Sequence, residues 1–169
     1  VGAERFSADW LKQNPKDARF REHLGSQAIL RKEYASAESH FREVLNLQPR
    51  NVVAMNNLAW LMARQGERGA VEMAERALAL APTAAPVMDT LAMALAAEGQ
   101  LERAIELQKK ALDTLPDRQA YRLNLARLYI KADKKAEAGA ELQVLAKLGN
   151  KFALQAEVAE LLRELNKQR

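Results

Sequence analysis

The sequence predicts an all-α solenoid of repeated helix–turn–helix units, closed at its C-terminal end by a capping helix. Three observations carry this. The 169 residues are rich in alanine and leucine, only 5% aromatic, and contain seven glycines and five prolines, a helical composition rather than that of a sandwich or barrel. Pro15, Pro49, Pro82 and Pro116 recur at 34, 33 and 34 residues, the interval of helix-pair repeats. Segments aligned on these prolines carry matching residues in matching columns.

The columns run in chain order. Leu24, Leu58, Leu91 and Leu125 are followed by a small column, Gly25, Ala59, Ala92 and Ala126, and then by Ala28, Met62, Leu95 and Tyr129. Later in each unit comes an alanine, Ala37, Ala70, Ala104 and Ala138. Phe41, Ala74, Gln108 and Leu142 follow, and three residues on Val44, Ala77, Ala111 and Leu145. These are two apolar stripes at helical spacing with a break between them. Small positions let helices approach closely and large ones fill the space beside them. Gln65-Gly66 and Glu98-Gly99 mark the break in two copies, where glycine ends a helix in the left-handed conformation. Proline stops the second helix of each pair.

The predicted helices cover 18–31, 34–47, 52–65, 68–80, 85–97, 101–114, 118–131 and 135–147. Each is marginal alone and must pack on its partner and on the next pair. The second copy is one residue short at Glu67-Arg68-Gly69, which predicts a tighter turn. A last helix over 152–166 carries Leu154, Val158, Leu161, Leu162 and Leu165 on one stripe and Glu157, Glu160, Arg163, Glu164 and Lys167 outside, as a solenoid cap requires. At the other end, Ala3, Phe6, Trp10 and Pro15 occupy the place of a second helix whose first helix is missing. The expectation is that the chain continues a longer array and that Phe6 and Trp10, lacking a neighbour, could associate with another copy.

The columns resemble the tetratricopeptide (TPR) repeat, with its skeleton W-x-x-L-G-x-x-Y, A-x-x-x-F, P. The resemblance divides the chain into the second helix of a truncated repeat (1–17), four repeats (18–51, 52–84, 85–118 and 119–150) and a cap (151–169). Arg21, Met55, Met88 and Arg122 replace the initial aromatic, and Asn150 stands where the fourth copy should have proline. The resemblance implies a right-handed α-solenoid whose first helices line a concave groove. That places Glu22, Asn56, Asp89 and Leu123 on one ladder and Ser26, Trp60, Met93 and Arg127 on the next, flanked by Arg19, Arg64 and Lys131. Trp60 and Met93 are either anchors for a bound segment or fillers of the groove wall. The lysine–asparagine pair of a carboxylate-clamping TPR domain is absent, because Glu22, Ser26, Asn56 and Trp60 hold those places. Asn57 and Asn124 read as asparagines bonding between helices.

Other chemistries find little support. The chain has no cysteine, and its two histidines, His23 and His40, fall on different helices of a unit, too few for a metal site or a triad. No phosphate loop, nucleophile elbow or H-E-x-x-H motif occurs. The expectation is a non-enzyme without cofactor or metal. Net charge is +4, with acidic and basic residues interspersed, unlike the one-sided basic face of a nucleic-acid binder. Lys109-Lys110 and Lys134-Lys135 read as solvated helix ends beside Glu106, Asp113 and Glu137. The uncharged stretch 77–88 is too short to span a bilayer.

A more particular string runs through the second and third copies: Asn56-Asn57-Leu58-Ala59-Trp60-Leu61, then Ala74-Glu75-Arg76-Ala77, Leu80-Ala81-Pro82 and Asp89-Thr90-Leu91-Ala92. It resembles the C-terminal array of the TPR-repeat lipoproteins of bacterial PEP-CTERM/exosortase systems, which accompany exopolysaccharide export. That resemblance implies a periplasmic or outer-membrane-associated parent, held by a lipid anchor outside this chain. The groove would hold a protein or peptide segment, with polysaccharide as a second ligand class. The alternatives are a cytoplasmic adaptor of an enzyme or chaperone complex and a purely structural end segment of a longer solenoid.

Overall fold

The computed structural model describes residues 2–167. They form ten α-helices and, among the described residues, no strand. After α1 (Gly2–Gln13) come four helix pairs: α2 (Ala18–Leu30) with α3 (Tyr34–Leu47), α4 (Val52–Gln65) with α5 (Ala70–Leu80), α6 (Ala85–Ala97) with α7 (Leu101–Thr114), and α8 (Gln119–Lys131) with α9 (Lys135–Ala146). A 3-10 turn at Gly149–Lys151 leads to α10 (Gln155–Lys167). Each pair packs as a hairpin, each second helix packs on the following first helix, and α10 packs on α9.

The prolines do the same work at every junction. Each occupies the second position of a four-residue turn. The turns close through the N–H groups of Asp17, Asn51, Ala84 and Arg118, which donate to the carbonyls of Asn14, Gln48, Ala81 and Leu115. Fixed φ suits proline to that position. Two of the turns then cap the next helix: Asp17 accepts from the Phe20 N–H at 2.9 Å and Asn51 from the Ala54 N–H at 2.8 Å, satisfying donors the helix start leaves free.

The breaks inside the pairs share a geometry that the sequence displays in only two copies. Gly66 and Gly99 have φ of 71° and 80°, and at the same column Lys32 and Asp133 have φ of 63° and 56°. In all four copies the next residue's N–H reaches back five residues: Glu33 to Ala28, Glu67 to Met62, Gln100 to Leu95 and Lys134 to Tyr129. This is the Schellman closure of a helix C-terminus. The turn dictates the left-handed residue, and two copies accept a side chain there at a cost.

The second copy departs from expectation. Its turn is longer, not tighter. α5 begins at Ala70 rather than near residue 68, and Gly69 adds a second left-handed residue, φ 87°. The missing residue is taken from the first turn of α5. Two close left-handed glycines cannot easily be continued as helix.

Packing explains the columns. The recurring alanines of the second helices are all buried, as are Leu58, Leu91 and Leu125. Leu24 is only half-buried, lining a cleft between α1, α2 and α3. Gly25 sits against Phe41: a Cβ at residue 25 would lie 2.8 Å from Phe41 Cζ. The other copies carry alanine in the small column and Ala74, Gln108 or Leu142 in the Phe41 column, so only the first pair sets a glycine against an aromatic ring.

The cap differs in detail from its prediction. Leu154 precedes α10 and is 42% exposed, whereas Val158 and Leu165 are buried and Leu161, Leu162 and Phe152 pack beside them. Glu157 is not purely an outer residue, since it pairs with Arg127 of α8.

Candidate functional site

The first ladder is an interface, not an open wall. Glu22 and Asp89 bond to the next first helix, and Leu123 lies under α10. Glu22 accepts from Asn51 Nδ2 at 3.1 Å, and Asp89 accepts from Asn124 Nδ2 at 2.8 Å. Asn56 Oδ1 is buried without a hydrogen bond. Leu123, expected in the groove, is 0% exposed and packs with Val158 and Leu165 of α10. α10 stands where a following first helix would, and it covers this column beside the fourth repeat. An apolar residue there is a core residue by necessity.

Asp89 organises the third and fourth repeats. Its Oδ1 accepts from Gln108 Nε2 of α7 at 2.7 Å and from Asn124 of α8. Gln108, fully buried, also donates to the Tyr121 carbonyl at 3.2 Å. Arg127 donates to Asn124 Oδ1 at 2.8 Å and pairs with Glu157 of α10. One polar chain therefore ties α6, α7, α8 and α10 together. Burial pushes the Asp89 carboxyl above its usual range, and bonds from Asn124 and Gln108 with the charge of Arg127 pull it partly back. Beside this chain lies a cavity of about 170 Å³ lined by Asp89, Met93, Ala96, Arg127 and Leu128 among others. Three residues expected in the groove, Asp89, Met93 and Arg127, thus meet at one place.

Trp60 and Arg64 meet at another. Trp60 makes an edge contact with Tyr34, the first residue of α3, at 6.0 Å between ring centroids. The Arg64 guanidinium stands 4.9 Å from the Tyr34 centroid and 5.6 Å from that of Trp60. Trp60 is thereby half-buried against the preceding repeat while keeping part of its surface open. Tyr34 was absent from the residues expected to form the site. Its signal in the sequence is weak, one aromatic at the start of a second helix.

The other predicted positions are dispersed. Ser26 donates to the Glu22 carbonyl within its own helix. Arg19 is exposed. Lys131 reaches across to the Ala96 carbonyl. Asn124 bonds between helices as expected, whereas Asn57 turns back to the Val53 carbonyl of its own helix. Lys134 pairs with Glu102 at 3.0 Å and Lys135 with Asp133 at 3.5 Å, as solvated helix ends do. At the N-terminal end, Phe6 (60% exposed) stacks on Trp10 (39% exposed), and Trp10 meets Phe20 edge-on. His40 lies in a cleft between α1, α2 and α3; burial and then the charge of Arg21 lower its pKa. Among the described residues no cluster of His, Cys, Asp and Glu could hold a metal ion, and no helix is long and apolar enough to cross a membrane.

Comparison with known proteins matches this architecture. Residues 95–165 match the family model described as Tetratricopeptide repeat. MamA from Desulfovibrio magneticus RS-1, residues 41 to its end, superposes with a TM-score of 0.74 at 23% identity, covering 88% of this chain and 85% of that one. TTC0263, a thermophilic TPR protein of Thermus thermophilus, gives 0.77 at 21% identity, covering 92% and 87%. PilF of Pseudomonas aeruginosa gives 0.75 at 22% identity, covering 89% and 68%. No curated protein matches in sequence. The fold is that of a right-handed TPR solenoid, and the matched segment carries the repeat's sequence pattern.

Proposed function

We propose that the chain is a noncatalytic protein-binding scaffold, part of an envelope TPR array that holds an export or assembly component along its first-helix wall. One observation carries the reading. The column Trp60, Met93 and Arg127, on three successive first helices, remains half-exposed or exposed, while in the column beside it Glu22 and Asp89 are taken up by hydrogen bonds to the next first helix and Leu123 is buried under α10. Hot spots favour aromatic and arginine side chains in such settings. The envelope assignment rests on the resemblance of the string in the second and third copies to the lipoprotein arrays.

The test is affinity capture from separate envelope and cytosolic fractions, with the wild-type chain beside a Trp60→Ala/Met93→Ala variant whose helicity is checked by circular dichroism. Arg127 is a poor choice, because its loss would also loosen α10. A protein retained from the envelope fraction by wild type and lost from the variant supports the reading. Retention from the cytosolic fraction alone would move the assignment to a cytoplasmic adaptor. Equal retention by both baits, or none, would leave a purely structural segment.

A further inference from the structure

Arg64 is held differently from Arg127 and Lys131, two other cations of the first-helix wall. Arg127 is committed to Glu157 and Asn124. Lys131, at the Arg64 column of the fourth repeat, is committed to the Ala96 carbonyl. Arg64 rests over the Tyr34 and Trp60 rings, and among the described residues its guanidinium reaches no hydrogen-bond acceptor and no carboxylate. Acids are near in sequence: Glu33 precedes Tyr34, and Glu67 follows Gly66 in the turn after α4. Neither pairs with it. Nor does Arg64 serve its own helix end, where the Ala63 and Met62 carbonyls take the N–H groups of Gly66 and Glu67.

A guanidinium over aromatic rings is fixed in position by its face and keeps its N–H donors for another group. The matching group is a carboxylate, which a guanidinium binds through two parallel hydrogen bonds. We infer that Tyr34, Trp60 and Arg64 form a docking point for an acidic side chain, glutamate or aspartate, of a partner protein segment. The apolar surface left on Trp60 gives a neighbouring residue of the segment a place to rest. This rests on the scaffold reading and specifies the chemistry of its partner.

The test uses a fluorescently labelled octapeptide of alternating glutamate and phenylalanine, acetylated and amidated, and its twin with glutamine at each glutamate. Binding to the wild-type chain and to Arg64→Gln, Arg64→Lys and Arg50→Gln is followed by anisotropy. The acidic peptide should bind about tenfold more tightly than its twin, the effect of one charge-assisted contact at a surface. Arg64→Gln should erase the preference, Arg64→Lys should keep a fraction of it, and Arg50→Gln, the same charge change at an exposed position outside the site, should leave it intact. No binding of either peptide, equal binding of the two, a preference that survives Arg64→Gln, or one that Arg50→Gln erases as fully overturns the inference. The capture experiment separates the two claims. A partner lost by the Trp60→Ala/Met93→Ala variant but retained by Arg64→Gln leaves the scaffold and removes the acid-binding point.

Discussion

Gly25→Ala is the sharpest probe of how this solenoid is packed, because local and tertiary effects oppose each other. In an exposed helix interior, replacing glycine by alanine stabilises by about 1 kcal/mol. Here the new Cβ would lie 2.8, 3.0 and 3.1 Å from three carbons of the Phe41 ring, inside the roughly 3.5–4.0 Å optimum for carbon pairs. Phe41 has no exposed surface toward which to move. Overpacking of this kind costs about 1–3 kcal/mol, so the net change should be a destabilisation of about 1 kcal/mol. The fourth repeat shows the compensation, with Ala126 opposite Leu142, both buried. Phe41→Leu alone should destabilise by leaving a cavity. In the Gly25→Ala background its cost should fall, giving a favourable coupling of about 1–2 kcal/mol. Urea denaturation of the four chains, followed by far-ultraviolet circular dichroism, measures this cycle. A coupling within about 0.3 kcal/mol of zero, the limit of additivity, or a Gly25→Ala variant more stable than wild type, would refute the reasoning.

Three further predictions concern stability, read by urea or thermal denaturation. Lys32→Gly and Asp133→Gly should each stabilise by about 0.5–1 kcal/mol, the left-handed penalty relieved less the entropy glycine adds to the unfolded chain; Gly99→Ala should destabilise by a similar amount. Removing residues 152–169 should expose Leu123, Leu142 and Leu145 and cost several kcal/mol, at about 1.5–3 for each large side chain, and an unchanged melting temperature would refute the capping role. The last concerns pH. Asp89 has a raised pKa in the fold, so the folded state binds its proton more tightly than the unfolded state. Its contribution to stability is therefore greatest in acid and falls as pH rises from the ordinary carboxylate range to the folded value. The stability difference between wild type and Asp89→Asn should shift in that sense over that window and be flat above it. A difference independent of pH would remove the burial argument.

The columns placed Asp89, Met93 and Arg127 at one cavity and Trp60 beside Arg64, but one further feature was legible and missed. Gln108 stands in a column otherwise filled by Phe41, Ala74 and Leu142. A polar residue at a buried position needs partners, and Asp89 and the Tyr121 carbonyl supply them. Leu123 carried the same kind of signal in reverse, one apolar residue among Glu22, Asn56 and Asp89.

The sequence by itself determined the period, the helix pairs, the proline turns and the alanine seams, because these depend on residue size and backbone freedom repeated at fixed spacing. It could not determine which members of a column meet a neighbour and which meet water. Only the tertiary structure placed α10 over Leu123, brought Tyr34 to Trp60 and Arg64, and forced Lys32 and Asp133 into the conformation of Gly66 and Gly99. Those outcomes depend on groups far apart in the chain, and a repeat specifies its own hairpin more tightly than what is stacked on it.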